Sequence, residues 1–292
     1  MKKQFFSLIK VCVCGVMLLA GAVSCEKMNV EGADGEDSKA NVVLRVFSIE
    51  QVPFSTATRA VLESCCTRLN FHVYNDDGER VDYVNQKIDD SDFGTASFQL
   101  EEGHYYLVVV AHSSSKNPSF YVNEKVSISG NDLGDTFWCC EELLVEDERI
   151  NLNLELERIV SMLRFIPTVT PPADLNQIVF RYKGSKGTFN GLTGYGSTTA
   201  SQSVSVITNS NESQYEFYMI PRDDEDMIDI SLMAYNQNIY PLGGCTIDEV
   251  PVKRNCITIC RGNLFDGSDY SASVIIQVSI DDSWGENTVI NF

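Results

Sequence analysis

The chain has 292 residues, of which 43% are hydrophobic, and a formal net charge of −19. This excess of acidic side chains argues against nucleic acid as a partner, because too few basic groups are present to neutralise phosphates. The length suits one large domain or two of ordinary size, so a sizeable core can be buried.

Residues 1–24 have the composition of a secretion signal. Lys2 and Lys3 make the start positive, and residues 11–20 form a short apolar core. Lys10 interrupts the apolar run before it reaches the roughly 20 residues that a membrane-spanning helix needs. We therefore expect a signal peptide that is removed, rather than a permanent transmembrane helix.

The end of this signal, Ala22-Val23-Ser24-Cys25, resembles the lipobox of bacterial lipoproteins, although that family prefers leucine at the position of Ala22. In that family the chain is cut before the cysteine, and the thiol receives a diacylglyceryl group. The resemblance therefore implies cleavage between Ser24 and Cys25 and attachment of lipid, including palmitate, at Cys25. Two or three acyl chains hold a protein firmly on a membrane, whereas one holds it weakly. The alternative is an ordinary secretion signal followed by a chance cysteine.

The segment 25–40 is polar and acidic and contains no aromatic residue. Such a composition cannot bury enough apolar surface to fold, so we expect a flexible acidic tether. The implied order along the chain is a membrane anchor, a spacer and then a folded body.

Apolar and polar residues alternate with a period of two along most of the remaining chain, which is typical of antiparallel strands with one wet face. A hairpin is predicted at 68–84, because Asp77-Gly78 in its centre is a pair that accepts the positive φ angles of a tight turn. Residues 104–112 are apolar on both faces in the middle, which predicts a central strand. In chain order the predicted elements are a short helix at 61–66, a hairpin at 68–84, and strands at 94–100, 104–112, 149–157, 158–166 and 226–235.

The many short strands predict an all-β fold of two tandem Greek-key β-sandwiches. The composition changes near residue 157, so the expected domains are 41–157 and 158–292, joined by a short, stiff junction.

Seven cysteines follow Cys25, an odd number that cannot pair completely. Cys65-Cys66 and Cys139-Cys140 are adjacent pairs, and neighbours in a strand point to opposite faces. No pair has the C-x₂-C spacing of a zinc site. We expect most of these cysteines to be buried thiols that pack as small apolar residues, with a bridge between distant cysteines as the alternative.

The sequence contains no recognisable catalytic or metal-binding motif, and its pairs of acidic residues lie where turns at strand ends are expected. The motifs H-E-x-x-H and G-x-S-x-G are absent. His72 alternates with apolar neighbours and is expected to point outward, while His104 and His112 are expected at an edge or in a loop. The glycine-rich stretch 184–196 precedes no helical pattern, so we expect a flexible loop rather than a phosphate site. The sequence thus predicts no enzyme, no cofactor and no metal.

Several stretches together resemble the lipoprotein anchor and minor subunits of type V fimbriae, the fimbrillin-like family of Gram-negative gut and oral bacteria. These stretches are Cys25 and residues 53–60, 66–81, 92–113, 156–166, 250–265 and 280–292. The resemblance implies two transthyretin-like β-sandwiches and a structural role in surface fimbriae at the cell outer membrane. It also implies fimbrillin partners, joined by strand exchange, in which an extended segment of one subunit completes a neighbour's sheet.

Two rows of alternating apolar residues near the C-terminus are candidates for the donated strand. The alternative, that they are ordinary final strands of the second sandwich, stays open for both. The first row is Val274, Ile276, Val278 and Ile280, and the second is Thr288, Ile290 and Phe292.

The N-terminal segment 41–54 is the other candidate for exchange, and Arg59 follows it. In polymerising members of the family an arginine-specific protease cuts after such an arginine, and loss of the first strand opens an acceptor groove. A cut between Arg59 and Ala60 is feasible because the surrounding residues are small. An anchor is expected to keep this strand.

Three functions remain as alternatives. The first is a lipid-tethered fimbrial anchor or accessory subunit, and the second is a stalk or tip fimbrillin cut after Arg59. The third is a surface lipoprotein that binds glycans, for which Tyr182, Tyr195 and Trp284 are candidate stacking residues.

Overall fold

The computed structural model of the chain describes residues 40–49, 59–129, 132–265 and 276–281. The expected all-β class is confirmed, since the described residues contain one short helix and many strands. The first elements are β1 Val42–Ile49, α1 Arg59–Cys65, β2 Arg68–Asn75, β3 Arg80–Lys87, β4 Thr95–Phe98, β5 Gly103–His112, β6 Ser119–Val122, β7 Lys125–Ser127, β8 Thr136–Val145 and β9 Ile150–Arg158. The later elements are β10 Ser161–Pro167, β11 Leu175–Lys183, β12 Thr188–Phe189, β13 Ser201–Ile207, β14 Tyr215–Met219, β15 Met227–Asn236, β16 Pro241–Pro251, β17 Ile257–Gly262 and β18 Ile276–Asp281.

The predicted hairpin at 68–84 is formed by β2 and β3. Its turn contains Gly78 at a φ of 74°, a left-handed conformation that glycine adopts without strain. The side-chain oxygen of Asn75 accepts hydrogen bonds from the backbone N–H groups of Asp77 and Glu79, at 3.1 and 2.9 Å. The turn chemistry that was visible in the sequence therefore fixes the register of this pair.

Two sets of strands repeat one topology. In the first set β1 is antiparallel to β4 and parallel to β9, and in the second β10 is antiparallel to β14 and parallel to β17. In both sets the other layer has the same order, β3-β2-β5-β8 in one and β13-β11-β15-β16 in the other. We call the β1–β9 set repeat one and the β10–β18 set repeat two. The strand order shows two β-sandwiches built on the same plan.

Each repeat encloses its own core. The core of repeat one is lined by strand residues such as Leu44, Phe71 and Leu154, and that of repeat two by Phe165, Phe180 and others. A third buried cluster contains residues from both repeats, so the two sandwiches share packed surface. Its members are Tyr74, Val108, Val110, Val126, Ile128, Trp138, Ile159, Val160, Phe189 and Ile220.

The junction between the repeats is short, as expected. Only Ile159 and Val160 separate β9 from β10, and both are fully buried. Strand β12 of repeat two pairs with β7 of repeat one, which forms a small three-stranded sheet together with β6. The described residues from Ala40 onward accordingly belong to one compact unit.

The glycine-rich stretch 184–196 was expected to be a flexible loop, and this is wrong for much of its length. It contains β12, and Phe189 is fully buried. The indole N–H of Trp138 donates a hydrogen bond to the carbonyl of Gly191 at 2.7 Å. Gly191 and Gly194 therefore allow close approach to repeat one, because an added Cβ would lie 2.2 Å from Asn123 and 2.8 Å from Trp138, respectively.

His72 points away from the core that contains Phe71 and Val73, as expected, but this face of the sheet is not exposed to solvent. The β6–β7 hairpin covers this face of the sheet, and the ring of Phe120 stacks on that of His72 with centroids 3.5 Å apart. His72 is 2% exposed, and burial lowers its pKa to about 3. His112 is fully buried at the end of β5 and contacts Asn70 Oδ1 through Nε2 at 2.9 Å. Only His104 is partly exposed, beside Asp76.

All seven cysteines from Cys65 to Cys260 are free thiols, and five of them are buried. Burial raises the pKa of the Cys66 and Cys260 thiols to about 12, which keeps them protonated and unreactive. In the described part of the chain, no helix has the length and apolar character needed to cross a membrane.

Candidate functional site

The strand β1 lies inside the sheet of repeat one, between two strands that come later in the chain. It pairs in antiparallel register with β4, where Leu44 faces Ala96, and in parallel register with β9, where Leu44 faces Leu152. The register with β9 shifts between Val46 and Ser48, which marks a bulge. A single N-terminal segment therefore completes both hydrogen-bonded ladders.

Alternate side chains of β1 point into the core of repeat one. Val42 and Leu44 are fully buried, and Val46 and Ile49 are almost so. Burying four such side chains contributes roughly 6 to 12 kcal/mol at about 1.5–3 kcal/mol each, which is comparable with the whole stability of a domain. Loss of β1 would leave a slot that repeat one must fill with another strand to remain folded.

The start of β1 is held by Asn41, a residue that the sequence analysis did not single out. Its side-chain amide donates to the carbonyl of Leu100 at 2.8 Å and accepts from the N–H of Leu100 at 2.9 Å. Its backbone carbonyl accepts from the N–H of Ile150 at 2.8 Å. The only sign in the sequence that Asn41 could hold the start of β1 is its position directly before an apolar strand.

Arg59 is the first residue of α1, the one described helix. Leu62 and Cys66, on and just after this helix, are buried in the core of repeat one. Peptide cleavage between Arg59 and Ala60 would separate β1 from α1, after which β1 would be held by its ladders and its buried side chains alone. A protease needs an extended substrate, so the first turn of α1 would have to unwind.

Strand β18 lies at the edge of repeat two and pairs with β17 of its own chain. The register places Ile276, Val278 and Ile280 opposite Gly262, Cys260 and Thr258. This is the arrangement of an ordinary final strand, and donation of the same residues to a neighbour stays a prediction. Val274, Ile290 and Phe292 lie outside the described residues, as do Ser24 and Cys25.

Two of the three aromatic residues suggested for sugar stacking, Tyr182 and Tyr195, are described, and these two do not form a platform. Tyr182 is 4% exposed and belongs to the core of repeat two. The guanidinium carbon of Arg254 lies 3.3 Å from the ring centre of Tyr195, so that ring face is covered. Trp284 lies outside the described residues.

The described residues also bring together no group of three or more histidine, cysteine, aspartate or glutamate side chains that could hold a metal ion. The main ion pair at the junction joins Arg158 Nε to Asp135 Oδ1 at 2.9 Å, and Asn255 Oδ1 accepts from Arg158 at 2.8 Å. These side chains connect the ends of strands at the junction.

No curated protein matches the sequence. Among solved structures, the chain is similar to a candidate polysaccharide-binding protein from Bacteroides thetaiotaomicron, with 9% identity, a TM-score of 0.52 and coverage of 84% of this chain and 96% of that one. A candidate adhesin from the same organism has 11% identity, a TM-score of 0.51 and coverage of 84% and 97%. The fimbrial anchor protein Mfa2 from Porphyromonas gingivalis has 10% identity, a TM-score of 0.46 and coverage of 82% and 96%.

The likeness to the first two proteins is a likeness of fold and extends over nearly their whole length. At the level of sequence, the model of a family of unknown function (DUF6562) matches residues 34–291. This match covers both repeats and the strands that complete them, and the chain therefore belongs to that family.

Proposed function

We propose that the chain is a structural subunit of a cell-surface fimbria, tethered to the outer membrane by lipid at Cys25 and joined to fimbrillin subunits by donation of a β-strand. The N-terminal sandwich, residues 41–157, and the C-terminal sandwich, residues 158–292, act as docking parts, and no catalysis is involved. The chain in this role is an anchor or an accessory subunit.

The observation that carries the proposal is the place of β1. This strand comes first after the predicted tether, yet it completes the sheet between β4 and β9. A sandwich whose core contains a strand from the chain end is suited to exchange, because another subunit's strand can occupy the same slot without a change in the remaining strands. An anchor keeps its own β1, so this slot is already filled and the subunit joins its neighbour as the donor of a strand and not as the acceptor.

The other support comes from the fold and from the start of the sequence. One of the similar structures is a candidate adhesin and another is a candidate polysaccharide-binding protein, and both roles belong to the cell surface. Between Cys25 and β1 the chain has enough residues to extend roughly 50 Å at about 3.3 Å per residue. This distance would hold the first sandwich clear of a lipid headgroup layer.

Metabolic labelling with a palmitate analogue tests the tether. We expect label on the wild-type protein and none on the Cys25→Ala variant, with both variants made in the native host. An unlabelled wild-type protein, or label that persists in the variant, would contradict lipid attachment at Cys25.

The second candidate is a stalk or tip subunit activated by cleavage after Arg59. It is favoured by the location of that peptide bond between β1 and α1, where one cut frees the whole strand. Mass spectrometry of the surface-exposed protein separates the two roles: an acylated Cys25 identifies the anchor, and a mature N-terminus at Ala60 identifies the stalk or tip subunit.

A further inference from the structure

The two repeats differ at one edge. In repeat two, β18 lies beside β17, with Ile257 to Gly262 paired to Asp281 to Ile276. In repeat one, the equivalent edge belongs to β9, because β9 and β17 are each parallel to the first strand of their repeat. In the described part of the chain β8 pairs with only two residues of β9, Glu157 and Arg158, and no strand lies beside its earlier part.

Among the described residues, no strand pairs with the backbone groups of β9 that point to this edge between Asn151 and Glu155. Ile150 donates its N–H to the carbonyl of Asn41, so its polar backbone groups point toward β1. Successive residues of a strand point their backbone groups to opposite sides. The N–H and C=O groups of Asn151, Asn153 and Glu155 therefore point away from β1, toward the position that β18 occupies in repeat two.

The side chains also indicate a missing neighbour. The core-facing residues of β17, Thr258 and Cys260, are fully buried where β18 covers them. On β9 the core-facing Ile150 and Leu152 are only half-buried, although they pack against the core of repeat one. These two apolar side chains lie where an additional strand would cover them.

The charged side chains at this edge indicate which kind of strand could bind beside β9. The outer face of β9 carries Glu155 and Glu157, and the turn before it carries Glu146, Asp147 and Glu148, all exposed. Arg149 and Arg45 offset only part of this charge. The sequence of β18, Ile276–Asp281, contains no lysine or arginine, so a second copy of that strand has no complementary charge.

We propose that the edge of β9 from Asn151 to Leu156 is a docking site for an extended segment of a partner subunit, antiparallel to β9, with alternating apolar and basic residues. Its apolar side chains cover Ile150 and Leu152, and its basic side chains lie on the outer face beside Glu155. The site is distinct from the β1 slot, because it lies on the opposite side of β9. The identity of the partner as a fimbrial subunit rests on the proposed function, but the site itself does not.

The test uses the purified mature chain and the fluorescent peptide acetyl-Lys-Val-Lys-Val-Lys-Val-Lys-amide. Fluorescence anisotropy is expected to show saturable binding, and a peptide with Glu in place of Lys is expected to bind at least tenfold more weakly. The Asn153→Pro variant removes an outward N–H without breaking the ladder to β1, and should weaken binding at least tenfold. The Glu155→Lys variant should weaken binding at least threefold and favour the Glu peptide.

The matched control is Ser205→Pro on β13, another edge strand. Thr208 donates its N–H to Asn176, and Gly184 donates to Ala200, so the N–H of Ser205 points away from β11 in the same way. Binding unchanged in this control and lost in Asn153→Pro supports the β9 edge. If Asn153→Pro fails to fold, the charge reversal in Glu155→Lys decides the question.

Absence of binding, equal binding of both peptides, or equal loss in both proline variants would overturn the proposal. The proposal would also be overturned by a wild-type dimer that Asn153→Pro dissociates and that the Lys peptide does not displace. The segment beside β9 would then belong to a second copy of the chain. The measurement needs neither lipid nor fimbriae. A wrong proposed function would leave the peptide result intact, and a failed peptide result would leave the lipid and β1 experiments unaffected.

Discussion

Single residues at the junction show how closely the two repeats approach. Gly194 has a φ of 68°, and a Cβ added there would lie 2.8 Å from the ring of Trp138 and 3.1 Å from Ile159. Only glycine combines this backbone conformation with this contact. The indole N–H of Trp138 also donates a hydrogen bond to the carbonyl of Gly191 in the same loop.

A Gly194→Ala variant is therefore expected to lower the free energy of unfolding by about 1–3 kcal/mol through strain and overpacking. Gly134→Ala is the matched control, because nothing lies within 4 Å of a Cβ added there. Urea denaturation measures the free energy of unfolding of both variants. Equal stabilities of the two variants would contradict the close approach at Trp138.

The buried histidines predict a dependence of stability on pH. The folded-state pKa of His72 is about 3 and that of His112 about 4, below the ordinary value of 6.5, because burial disfavours the charged ring. The unfolded chain then binds more protons as the pH falls. The free energy of unfolding is therefore not reduced by these histidines above pH 6.5. Below pH 6.5 it falls progressively, by at most about 1.4 kcal/mol per pH unit for each histidine.

A His72→Phe variant keeps a ring against Phe120 and removes one titrating group. We expect a shallower fall in the free energy of unfolding between pH 6.5 and pH 5 than in the wild type. His104→Gln is the control, because the exposed His104 beside Asp76 has a raised pKa and cannot produce a loss of this sign. Identical slopes in wild type and His72→Phe would contradict the burial of a neutral His72.

At the scale of elements, β1 is the part on which the fold of repeat one depends. A chain that begins at Arg59 is expected to unfold at lower urea concentration than the whole chain or to aggregate, because its core slot is open. A peptide of residues 40–49 should bind in that slot, and at 100 times its dissociation constant it should add about 2.7 kcal/mol of stability.

The control peptide carries Leu44→Asp, which places a charge in the core and should give no stabilisation. Urea denaturation with and without each peptide is the measurement. If the truncated chain is as stable as the whole chain, or if both peptides act equally, β1 is not an exchangeable part of the core.

The strands with one wet face were predictable from the sequence because burial follows their alternation. Strand β9 has Leu154 and Leu156 inside and Glu155 and Glu157 outside. The central strand β5 and the short helix α1 were also predicted. Contacts between distant segments leave no local pattern in the sequence. For this reason the packing of the β6–β7 hairpin over His72 was not predicted. The pairing of β7 with β12 was missed for the same reason.

At the scale of the whole molecule, the shared buried cluster couples the two sandwiches. Phe189 of repeat two lies in it with Val126 of repeat one, and the register of β12 and β7 pairs these two residues directly. We expect the wild-type chain to unfold in one cooperative transition, although it contains two cores.

A Phe189→Ala variant is expected to lose about 3–5 kcal/mol and to split this transition into two, because the cavity weakens the contact between the repeats. Differential scanning calorimetry detects the split. Ile239→Ala, at a side chain that is 73% exposed, should leave the transition single and in place. A single transition in Phe189→Ala at the wild-type temperature would contradict coupling through this cluster.

The candidate site was only partly accessible from the sequence. The alternation at 41–54 predicted a strand, but its position between β4 and β9 depends on pairings with distant residues. Val42, for example, pairs with Phe98 and with Ile150, which lie 56 and 108 positions away along the chain. The equivalence of β9 and β17, and the unfilled edge that follows from it, required the topology of both repeats. The predicted lipid site at Cys25 rests on the sequence alone.

The proposal that these sandwiches are docking parts of a lipid-tethered fimbria is tested by affinity isolation of the tagged full-length protein from native membranes, followed by mass spectrometry of the intact complex. We expect an acylated Cys25 and co-isolated fimbrial subunits of β-sandwich fold. A freely diffusing monomer with an unmodified Cys25 thiol and no co-isolated subunit would contradict it.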